Sequence, residues 1–223
     1  MKITTHAMAQ AIDHTILKPD ATPAMIAQLC AEAREHSFKA VCVNGCHVSP
    51  AVEALKGSGV HVCAVIGFPL GAAASPAKAH EAMIAAADGA VEIDMVINVG
   101  RLKAQEDATV LREMRSVRAA IGEMVCLKVI IETCLLNEAE KIRACELALE
   151  SGANFVKTST GFSSGGATIA DVALMRRVVG DRMGVKASGG VKDWQSAVAM
   201  LEAGASRLGT SSGVAILKGV PNQ

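Results

Sequence analysis

The sequence predicts an α/β fold, a (β/α)8 TIM barrel formed by a single domain spanning residues 1–223, with a short segment before the first strand and a short C-terminal tail. Short apolar runs alternate with longer helical patterns along the chain, which favours parallel strands joined by helical crossovers. The runs number eight. No Gly-x-Gly-x-x-Gly fingerprint follows the first run, so the barrel is favoured over the alternative, an open doubly wound sheet.

The predicted strands are rich in Val and Ile, as expected for strands covered on both faces. They occupy residues 11–13, 39–44, 60–66, 90–95, 125–131, 154–157, 183–186 and 206–208. Between them, apolar residues recur at helical spacing, as Ile26 and Leu29 do. Asn137 with Glu140 indicates a capping box, and Asp193 is typical of an N-cap. Glycines that follow helical patterns as C-terminal stops are Gly59, Gly89, Gly152 and Gly204.

Composition excludes several function classes. With 22 basic and 22 acidic residues, the net charge of zero gives no electrostatic case for nucleic acid or an anionic membrane as partner. The apolar stretches are far shorter than the ~20 residues of a membrane span, and the N-terminus lacks a signal-peptide core, so a cytoplasmic location is expected. The seven cysteines form no Cys-x-x-Cys pair and are expected to be reduced. The absence of tyrosine removes mechanisms that rely on a phenol.

Alternation along the fourth strand aims two carboxylates at the barrel interior. Val91, Ile93 and Met95 share one parity and would face the helices, which leaves Glu92 and Asp94 pointing inward. In a barrel, side chains near the C-terminal strand ends line the active site. Asp94 is therefore a candidate for the site.

Three lysines are predicted to converge on Asp94. Lys128 lies between apolar residues of the fifth strand, while Lys157 and Lys186 each end a strand and open a loop of small residues. A buried Asp–Lys pair alone is as often structural as functional. One carboxylate and three ammonium groups on four consecutive strands favour chemistry, because so many desolvated charges are costly to bury.

Two ammonium groups on neighbouring strands, ~5 Å apart, oppose each other's protonation, so one amine can be neutral near pH 7. A neutral lysine attacks a carbonyl carbon and forms an iminium that weakens an adjacent C–C bond. Spacing alone leaves open whether Lys157 or Lys186 is the nucleophile. Asp94 would transfer protons, through a water molecule.

Glycine and serine loops suggest where the other end of a substrate binds. Gly161 follows the sixth strand, Gly189 and Gly190 the seventh, and Ser211 and Ser212 the eighth, before a final helix. Backbone amides after the last strands form the phosphate site of many barrels, although such loops are about as often simple connectors.

A bound metal ion is not expected. The six histidines are scattered, show no metal-ligand spacing and are absent from the second half of the chain. His14 and His47 could approach the barrel mouth, but surface or core roles are favoured for both. Cys42 is inward by alternation and is interpreted as pocket lining, since no base motif accompanies it.

Eight segments together resemble the deoxyribose-phosphate aldolase family, a family of class I aldolases, and run in the family's order. They are residues 12–15 (Ile-Asp-His-Thr), 40–43 (Ala-Val-Cys-Val), 65–70 (Val-Ile-Gly-Phe-Pro-Leu), 92–94 (Glu-Ile-Asp), 128–133 (Lys-Val-Ile-Ile-Glu-Thr), 157–162 (Lys-Thr-Ser-Thr-Gly-Phe), 185–190 (Val-Lys-Ala-Ser-Gly-Gly) and 207–213 (Arg-Leu-Gly-Thr-Ser-Ser-Gly).

This resemblance implies a lyase that reversibly cleaves 2-deoxy-D-ribose 5-phosphate to acetaldehyde and D-glyceraldehyde 3-phosphate in deoxyribonucleoside catabolism, without metal or organic cofactor. It also implies roles. Lys157 is expected to form the Schiff base, Lys186 to favour its neutral amine, and Asp94 to act as acid and base. The expected substrate-binding residues are Asp13, Cys42, Lys128, Gly161, Gly189, Gly190, Ser211 and Ser212. We also expect a homo-oligomer.

Two positions depart from patterns found in some family members. Phe162 stands where those members carry a lysine that helps to hold phosphate, so weaker phosphate affinity is expected. The tail, residues 218–223, has no tyrosine to assist proton transfer. Two alternatives remain at this point: another class I aldolase with a different donor or acceptor, and a phosphosugar-binding barrel without catalysis.

Overall fold

Parallel strands form a closed barrel in which each strand pairs with the next and the last pairs with the first. A computed structural model describes residues 3–221; Met1 and Lys2 of the predicted N-terminal segment and Asn222 and Gln223 of the predicted tail lie outside the described residues. The strands are β1 (Ile12–Thr15), β2 (Ala40–Val43), β3 (His61–Ile66), β4 (Glu92–Val96), β5 (Cys126–Ile130), β6 (Phe155–Lys157), β7 (Gly184–Ser188) and β8 (Arg207–Thr210).

Helices connect successive strands and cover the barrel. Within residues 3–221 they are α1 (Thr5–Ala9), α2 (Pro23–Glu35), α3 (Val48–Leu55), α4 (Ser75–Ala87), α5 (Val99–Lys103), α6 (Asp107–Ile121), α7 (Glu138–Glu150), α8 (Ile169–Val179), α9 (Trp194–Glu202) and α10 (Gly213–Lys218). The predicted (β/α)8 fold is confirmed. The open-sheet alternative is wrong, because β1 pairs with β8.

Local sequence signals determine several helix ends. Asn137 and Glu140 form a reciprocal capping box at the start of α7, and Asp193 forms one with Ser196 at the start of α9. Gly204 follows α9 with a φ of 111°, a left-handed conformation that glycine adopts without strain. The predicted helix boundaries therefore rest on hydrogen-bonded caps.

Strand alternation divides the side chains between two environments. Ile93 and Met95 pack in the apolar layer between barrel and helices, whereas Asp94 is buried inside the barrel. The prediction that Val91 faces the helices is wrong, because it precedes the first residue of β4 and is 45% exposed. No helix among residues 3–221 is long and apolar enough to cross a membrane.

Candidate active site

Asp94 lies at the centre of a cluster of ammonium groups inside the barrel. Its Oδ2 atom accepts hydrogen bonds from Lys157 Nζ and Lys186 Nζ, each at 2.7 Å. Its Oδ1 atom accepts a hydrogen bond from Lys128 Nζ at 2.8 Å. All four side chains are buried. The structure therefore brings together the carboxylate and the three lysines that were predicted from the sequence to converge on one cavity.

Strand register explains this convergence. Lys157 and Lys186 are register partners on β6 and β7, and Asp94 and Lys128 are register partners on β4 and β5. Each of the four has the inward parity of its strand. Lys157 is the last residue of β6, so its side chain lies at the C-terminal edge of the barrel, the edge where TIM barrels carry their active sites.

Asp13 on β1 supplies a second carboxylate to this cluster. Its Oδ2 atom accepts a hydrogen bond from Lys186 Nζ, and its Oδ1 atom accepts one from Arg207 Nε at 2.6 Å. Lys186 thus contacts two carboxylates, whereas the ion pair of Lys157 within residues 3–221 is with Asp94 alone. The positive charge of Lys186 is therefore stabilised by two carboxylates, and that of Lys157 by one.

Opposite charges set the protonation of the central groups. Burial raises the pKa of the Asp94 carboxyl, but Lys128, Lys157 and Lys186 outweigh burial and hold that pKa well below its usual range. Burial lowers the pKa of the Lys186 ammonium, but Asp13 and Asp94 outweigh burial and raise that pKa above its ordinary value. At neutral pH Asp94 is an anion and Lys186 a cation.

A third carboxylate, that of Glu92, and an arginine extend the cluster toward the N-terminal end of the barrel. Arg207 Nη2 donates to both oxygens of Glu92 at 2.5 Å, and Lys128 Nζ lies 2.6 Å from Glu92 Oε2. The His61 Nδ1 atom, on a side chain that is 40% exposed, lies 2.8 Å from Glu92 Oε1. Acidic and basic groups therefore alternate from the N-terminal surface to Lys157.

Two thiols lie beside Asp94. Cys42 and Cys63 are register partners on β2 and β3, and Cys63 Sγ donates to Asp94 Oδ1 at 3.1 Å. Burial raises the pKa of the Cys63 thiol well above its ordinary value. Cys42 is fully buried and faces the barrel interior, as predicted for a lining residue.

These thiols and the Asp94 carboxylate lie close enough to suggest a metal site, since one ligand atom from each falls within 4.8 Å of the others. The same carboxylate already contacts the ammonium groups of Lys128, Lys157 and Lys186. A divalent cation would add to that positive charge instead of neutralising a negative site. The donor set therefore does not fit a metal ion.

The five residues predicted to hold phosphate lie at the barrel mouth. Gly161 follows β6, Gly189 and Gly190 follow β7, and Ser211 and Ser212 follow β8. The three glycines have φ values of 84°, 84° and 86°, which glycine adopts without strain. The helix that begins after Ser212, α10, has six residues.

Glu132 anchors the loop after β6 to the end of β5. This residue is left-handed, with φ 55° and ψ 66°, and its carboxylate is buried. It accepts hydrogen bonds from Thr160 Oγ1 at 2.5 Å and from the Thr160 amide at 3.2 Å. The chain that runs from Lys157 to Gly161 is therefore fixed from the neighbouring strand.

Two aromatic rings meet across the mouth. The rings of Phe68, after β3, and Phe162, after β6, make an edge-to-face contact with centroids 5.2 Å apart. A cavity of about 120 Å³ opens beside them, lined in part by Leu70, Leu135 and Thr160. The entrance on this side is apolar, whereas the interior below it is ionic.

The two histidines considered at the mouth have different positions. His14 is buried, with its Nε2 atom 2.7 Å from Glu32 Oε2, and burial lowers its pKa. This position matches the core role that was favoured. His47 lies in a 3-10 turn between β2 and α3 and is half-buried.

Three members of the charged and polar cluster were not identified as site residues from the sequence. Arg207 and Cys63 have the inward parity of β8 and β3, so alternation could have found both. Glu92 was correctly expected to face inward, but its ion pair with Arg207 was not predicted. Its ion pair with Arg207 joins residues 115 positions apart, which only barrel closure brings together.

Comparison with known proteins agrees with this geometry. Residues 7–219 match the family described as DeoC/LacD family aldolase. The chain is 59% identical over 212 residues to the deoxyribose-phosphate aldolase of Brevibacillus brevis, covering 95% of this chain and 96% of the relative. It is 58% identical over 212 residues to the deoxyribose-phosphate aldolase of Geobacillus sp. (strain WCH70), covering 95% of each.

A solved structure shares the architecture. The deoxyribose phosphate aldolase from Aeropyrum pernix, described as a unique tetramer, superposes with a TM-score of 0.90 at 32% identity. The superposition covers 96% of this chain and 91% of that chain. The likeness thus extends over nearly the whole barrel.

Proposed function

Because the chain belongs to the DeoC/LacD aldolase family and is a carbon–carbon lyase, we propose that it cleaves 2-deoxy-D-ribose 5-phosphate reversibly to acetaldehyde and D-glyceraldehyde 3-phosphate through a Schiff base on Lys157. The observation that carries this proposal is the shared oxygen of Asp94, which accepts hydrogen bonds from both Lys157 and Lys186 at 2.7 Å. That arrangement places a held cation directly beside a candidate amine nucleophile.

The contacts support Lys157 over Lys186 as the nucleophile. Lys186 is bound by Asp13 and Asp94. Burial lowers the pKa of its ammonium group, but the two carboxylates outweigh burial and raise that pKa, so Lys186 has no free electron pair with which to attack a carbonyl carbon. Lys157 shares the single carboxylate of Asp94 with two other ammonium groups and ends its strand at the mouth. A substrate that enters from the mouth reaches Lys157 first.

The charges of the buried cluster balance if Lys157 is the amine, as the proposed mechanism requires. The buried cluster has four basic members and three acidic members: Lys128, Lys157, Lys186 and Arg207 against Asp13, Glu92 and Asp94. With Lys157 as the amine, three cations face three anions. An iminium on Lys157 restores the excess positive charge, which draws electrons from the bond to be broken and favours the neutral enamine.

The reaction then follows from this balance. The Lys157 amine attacks C1 of the open-chain sugar, and loss of water from the carbinolamine gives the iminium. Removal of the C3 hydroxyl proton breaks the C2–C3 bond, its electrons pass to the iminium nitrogen, and glyceraldehyde 3-phosphate leaves. The enamine gains a proton at C2, and water then releases acetaldehyde and the free amine.

Asp94 is proposed to move these protons through a water molecule. Burial raises its pKa, but Lys128, Lys157 and Lys186 lower it well below its usual range, so the carboxylate itself is a weak base. A water hydrogen-bonded to this fixed anion can relay the proton, because the anion orients it and stabilises the positive charge that develops on it.

The phosphate end of the sugar is assigned to the mouth loops. Gly161, Gly189, Gly190, Ser211 and Ser212 lie at the ends of β6, β7 and β8, around the edge at which Lys157 points. Their backbone amides and hydroxyls are suited to an anion. Asp13, Cys42 and Lys128 are proposed to complete the pocket below. We further propose a cytoplasmic homo-oligomer that acts in deoxyribonucleoside catabolism.

The test is reductive trapping. The protein is incubated with acetaldehyde and borohydride, which converts an imine into a stable ethyl-lysine, and peptides are then analysed by mass spectrometry. An adduct on Lys157, together with turnover of 2-deoxyribose 5-phosphate in a coupled assay, is expected. Lys78 is an internal control, because it is equally buried but lies in the helix layer, bound to Glu113.

Each other result has a definite meaning. An adduct on Lys186 or Lys128 would keep the aldolase chemistry and reverse the roles of the lysines. Trapping on Lys157 without turnover of the proposed sugar would indicate another class I aldolase. Absence of both adduct and turnover would contradict the proposal and favour a binding barrel.

A further inference from the structure

We propose that Glu92 and Arg207 are positioning residues for the lysine chemistry: together they hold Asp13 in the orientation in which it binds Lys186. This inference rests on the proposed function. It concerns the N-terminal half of the barrel interior, since Glu92 and Arg207 are the first residues of β4 and β8. Neither is needed to contact the substrate for this role.

Asp13 is fixed by two cations on its two oxygens. Arg207 Nε donates to Oδ1 at 2.6 Å, and Lys186 Nζ donates to Oδ2. Loss of the Arg207 contact would free Oδ1, and the carboxylate could rotate or share both oxygens with Lys186. Because Lys186 also donates to Asp94 Oδ2, its position relative to Lys157 depends on where Asp13 stands.

Arg207 is fixed in turn. Its Nη2 atom donates to both oxygens of Glu92, and its guanidinium carbon lies 5.7 Å from the centroid of the Phe155 ring. A planar guanidinium can bind Glu92 and Asp13 through different nitrogens at once, whereas an ammonium cannot reproduce that fork. The identity of the side chain, and not only its charge, therefore matters at position 207.

Glu92 is contacted by basic side chains from three strands. Besides Arg207, Lys128 Nζ lies 2.6 Å from its Oε2 atom and His61 Nδ1 lies 2.8 Å from its Oε1 atom. Asp13 similarly faces Lys186, Arg207 and, at 3.9 Å, Lys128. These groups form one connected charge cluster, so a change of charge at its base acts on the lysines at its top.

The sign of that action differs between the two residues. Neutralising Arg207 leaves the cluster more negative, so its ammonium groups keep their protons to higher pH and the acid limb of kcat/KM moves to higher pH. Neutralising Glu92 leaves the cluster more positive and moves the acid limb to lower pH. If the two residues had only a packing role, the acid limb would stay unchanged in both variants.

The helix layer offers a matched control. Lys78 and Glu113 form a buried ion pair at 2.7 Å, with side chains 0% and 6% exposed, and Lys78 also donates to the carbonyl oxygen of Val96. The variant E113Q removes a buried carboxylate charge, as E92Q does, but outside the barrel interior. Its effect on Tm measures the general cost of breaking such a pair.

The experiment compares E92Q, R207M, R207K and E113Q with the unmodified protein by Tm, by kcat and KM for 2-deoxyribose 5-phosphate, and by the pH profile of kcat/KM. We expect kcat to fall by ~100-fold in R207M, the loss typical of a catalytic group displaced by about 1 Å. KM should change little, because neither residue lies at the mouth. The acid limb should move up in R207M and down in E92Q.

R207K keeps the charge and loses the fork, so we expect a wild-type acid limb with kcat still reduced by ~10-fold. This variant and the nearly isosteric E92Q carry the test should R207M fail to fold. Wild-type kcat in both E92Q and R207K and a wild-type pH profile in E92Q, with Tm lowered as in E113Q, would overturn the proposal. An unmodified protein without turnover or trapping would instead contradict the proposed function.

Discussion

Gly209 on β8 lies against the side chain of Lys186 on β7. A Cβ atom at position 209 would lie 3.1 Å from Lys186 Cε and 3.0 Å from Ser188 Cβ, closer than ordinary carbon contacts. Gly209 has the inward parity of β8, two residues after Arg207. The missing side chain thus provides the space through which the lysine reaches Asp13 and Asp94.

We predict that Gly209→Ala lowers kcat by roughly tenfold, because the added methyl group displaces the Lys186 ammonium from Asp94 by a few tenths of an ångström or more. Steady-state assays of sugar cleavage measure this. Gly45→Ala is the control, since a Cβ atom there meets no atom within 4 Å. Equal kcat values in both variants would show that the space beside Lys186 is not limiting.

Lys186→Met is predicted to shift the pH–rate profile upward. The substitution removes a cation that shares Asp94 Oδ2 with Lys157, so the Lys157 amine is protonated at higher pH and the acid limb of activity moves to higher pH. The measurement is kcat/KM across the pH range. Lys78→Met removes a buried ammonium in the helix layer and should leave the limb in place. An unchanged profile in the Lys186 variant would exclude its assigned role.

Phe162→Lys is predicted to lower KM for 2-deoxyribose 5-phosphate by several-fold, up to about tenfold, because an ammonium at the exposed mouth attracts a phosphate dianion. KM for unphosphorylated 2-deoxyribose should not change, and the gain should shrink with added salt. Phe162→Gln removes the contact with the Phe68 ring without adding charge, and it separates the two effects. A gain of equal size in the glutamine variant would assign the effect to the lost ring contact.

Stability is predicted to fall in acid. The pKa of Glu92 is lowered below its usual range: burial raises it, but Lys128, His61 and Arg207 outweigh burial. The pKa of Asp94 is lowered in the same way. A carboxyl whose folded pKa is depressed stabilises the fold fully above its unfolded pKa, about 4, and this contribution is lost as pH falls through the folded pKa.

Urea unfolding at a series of pH values tests this expectation. The urea concentration at the unfolding midpoint should fall progressively below pH ~4, the pKa of carboxyl groups in the unfolded chain. At the alkaline end, the raised pKa of Lys186 gives a contribution that is present below about pH 10 and lost above it. A midpoint that stays constant down to pH 3 would contradict the ion-pair origin of the stability.

Much of the charged interior could be predicted from the sequence, because strand alternation depends on residues that are adjacent in the chain. Asp94 and Lys128 were assigned to the interior by strand alternation and Lys186 by its position at a strand end, and the structure places all three there. Parity does not say which oxygen meets which ammonium. The asymmetry between Lys157 and Lys186 depends on Asp13, which reaches Lys186 only because β1 and β8 close the barrel.

Contacts between loops were the least predictable. The Phe68 and Phe162 rings belong to connections after β3 and β6, and no periodicity links two such segments. Their meeting depends on loop conformations that the strands constrain only at the ends. The charged residues inside the barrel can therefore be predicted from the sequence, whereas the shape of the site entrance cannot.

The alternating charges inside the barrel restrict how this chain can change over time. A single neutral substitution at Asp13, Glu92 or Arg207 leaves a buried charge without its ion-pair partner. Residues of the same β-strands that face the helices can instead be exchanged for apolar side chains of similar volume. Viable variants of the interior should therefore arise as charge-conserving pairs. Libraries aimed at new aldehyde acceptors are better directed to the uncharged, exposed rim, at Leu70, Leu135 and Phe162.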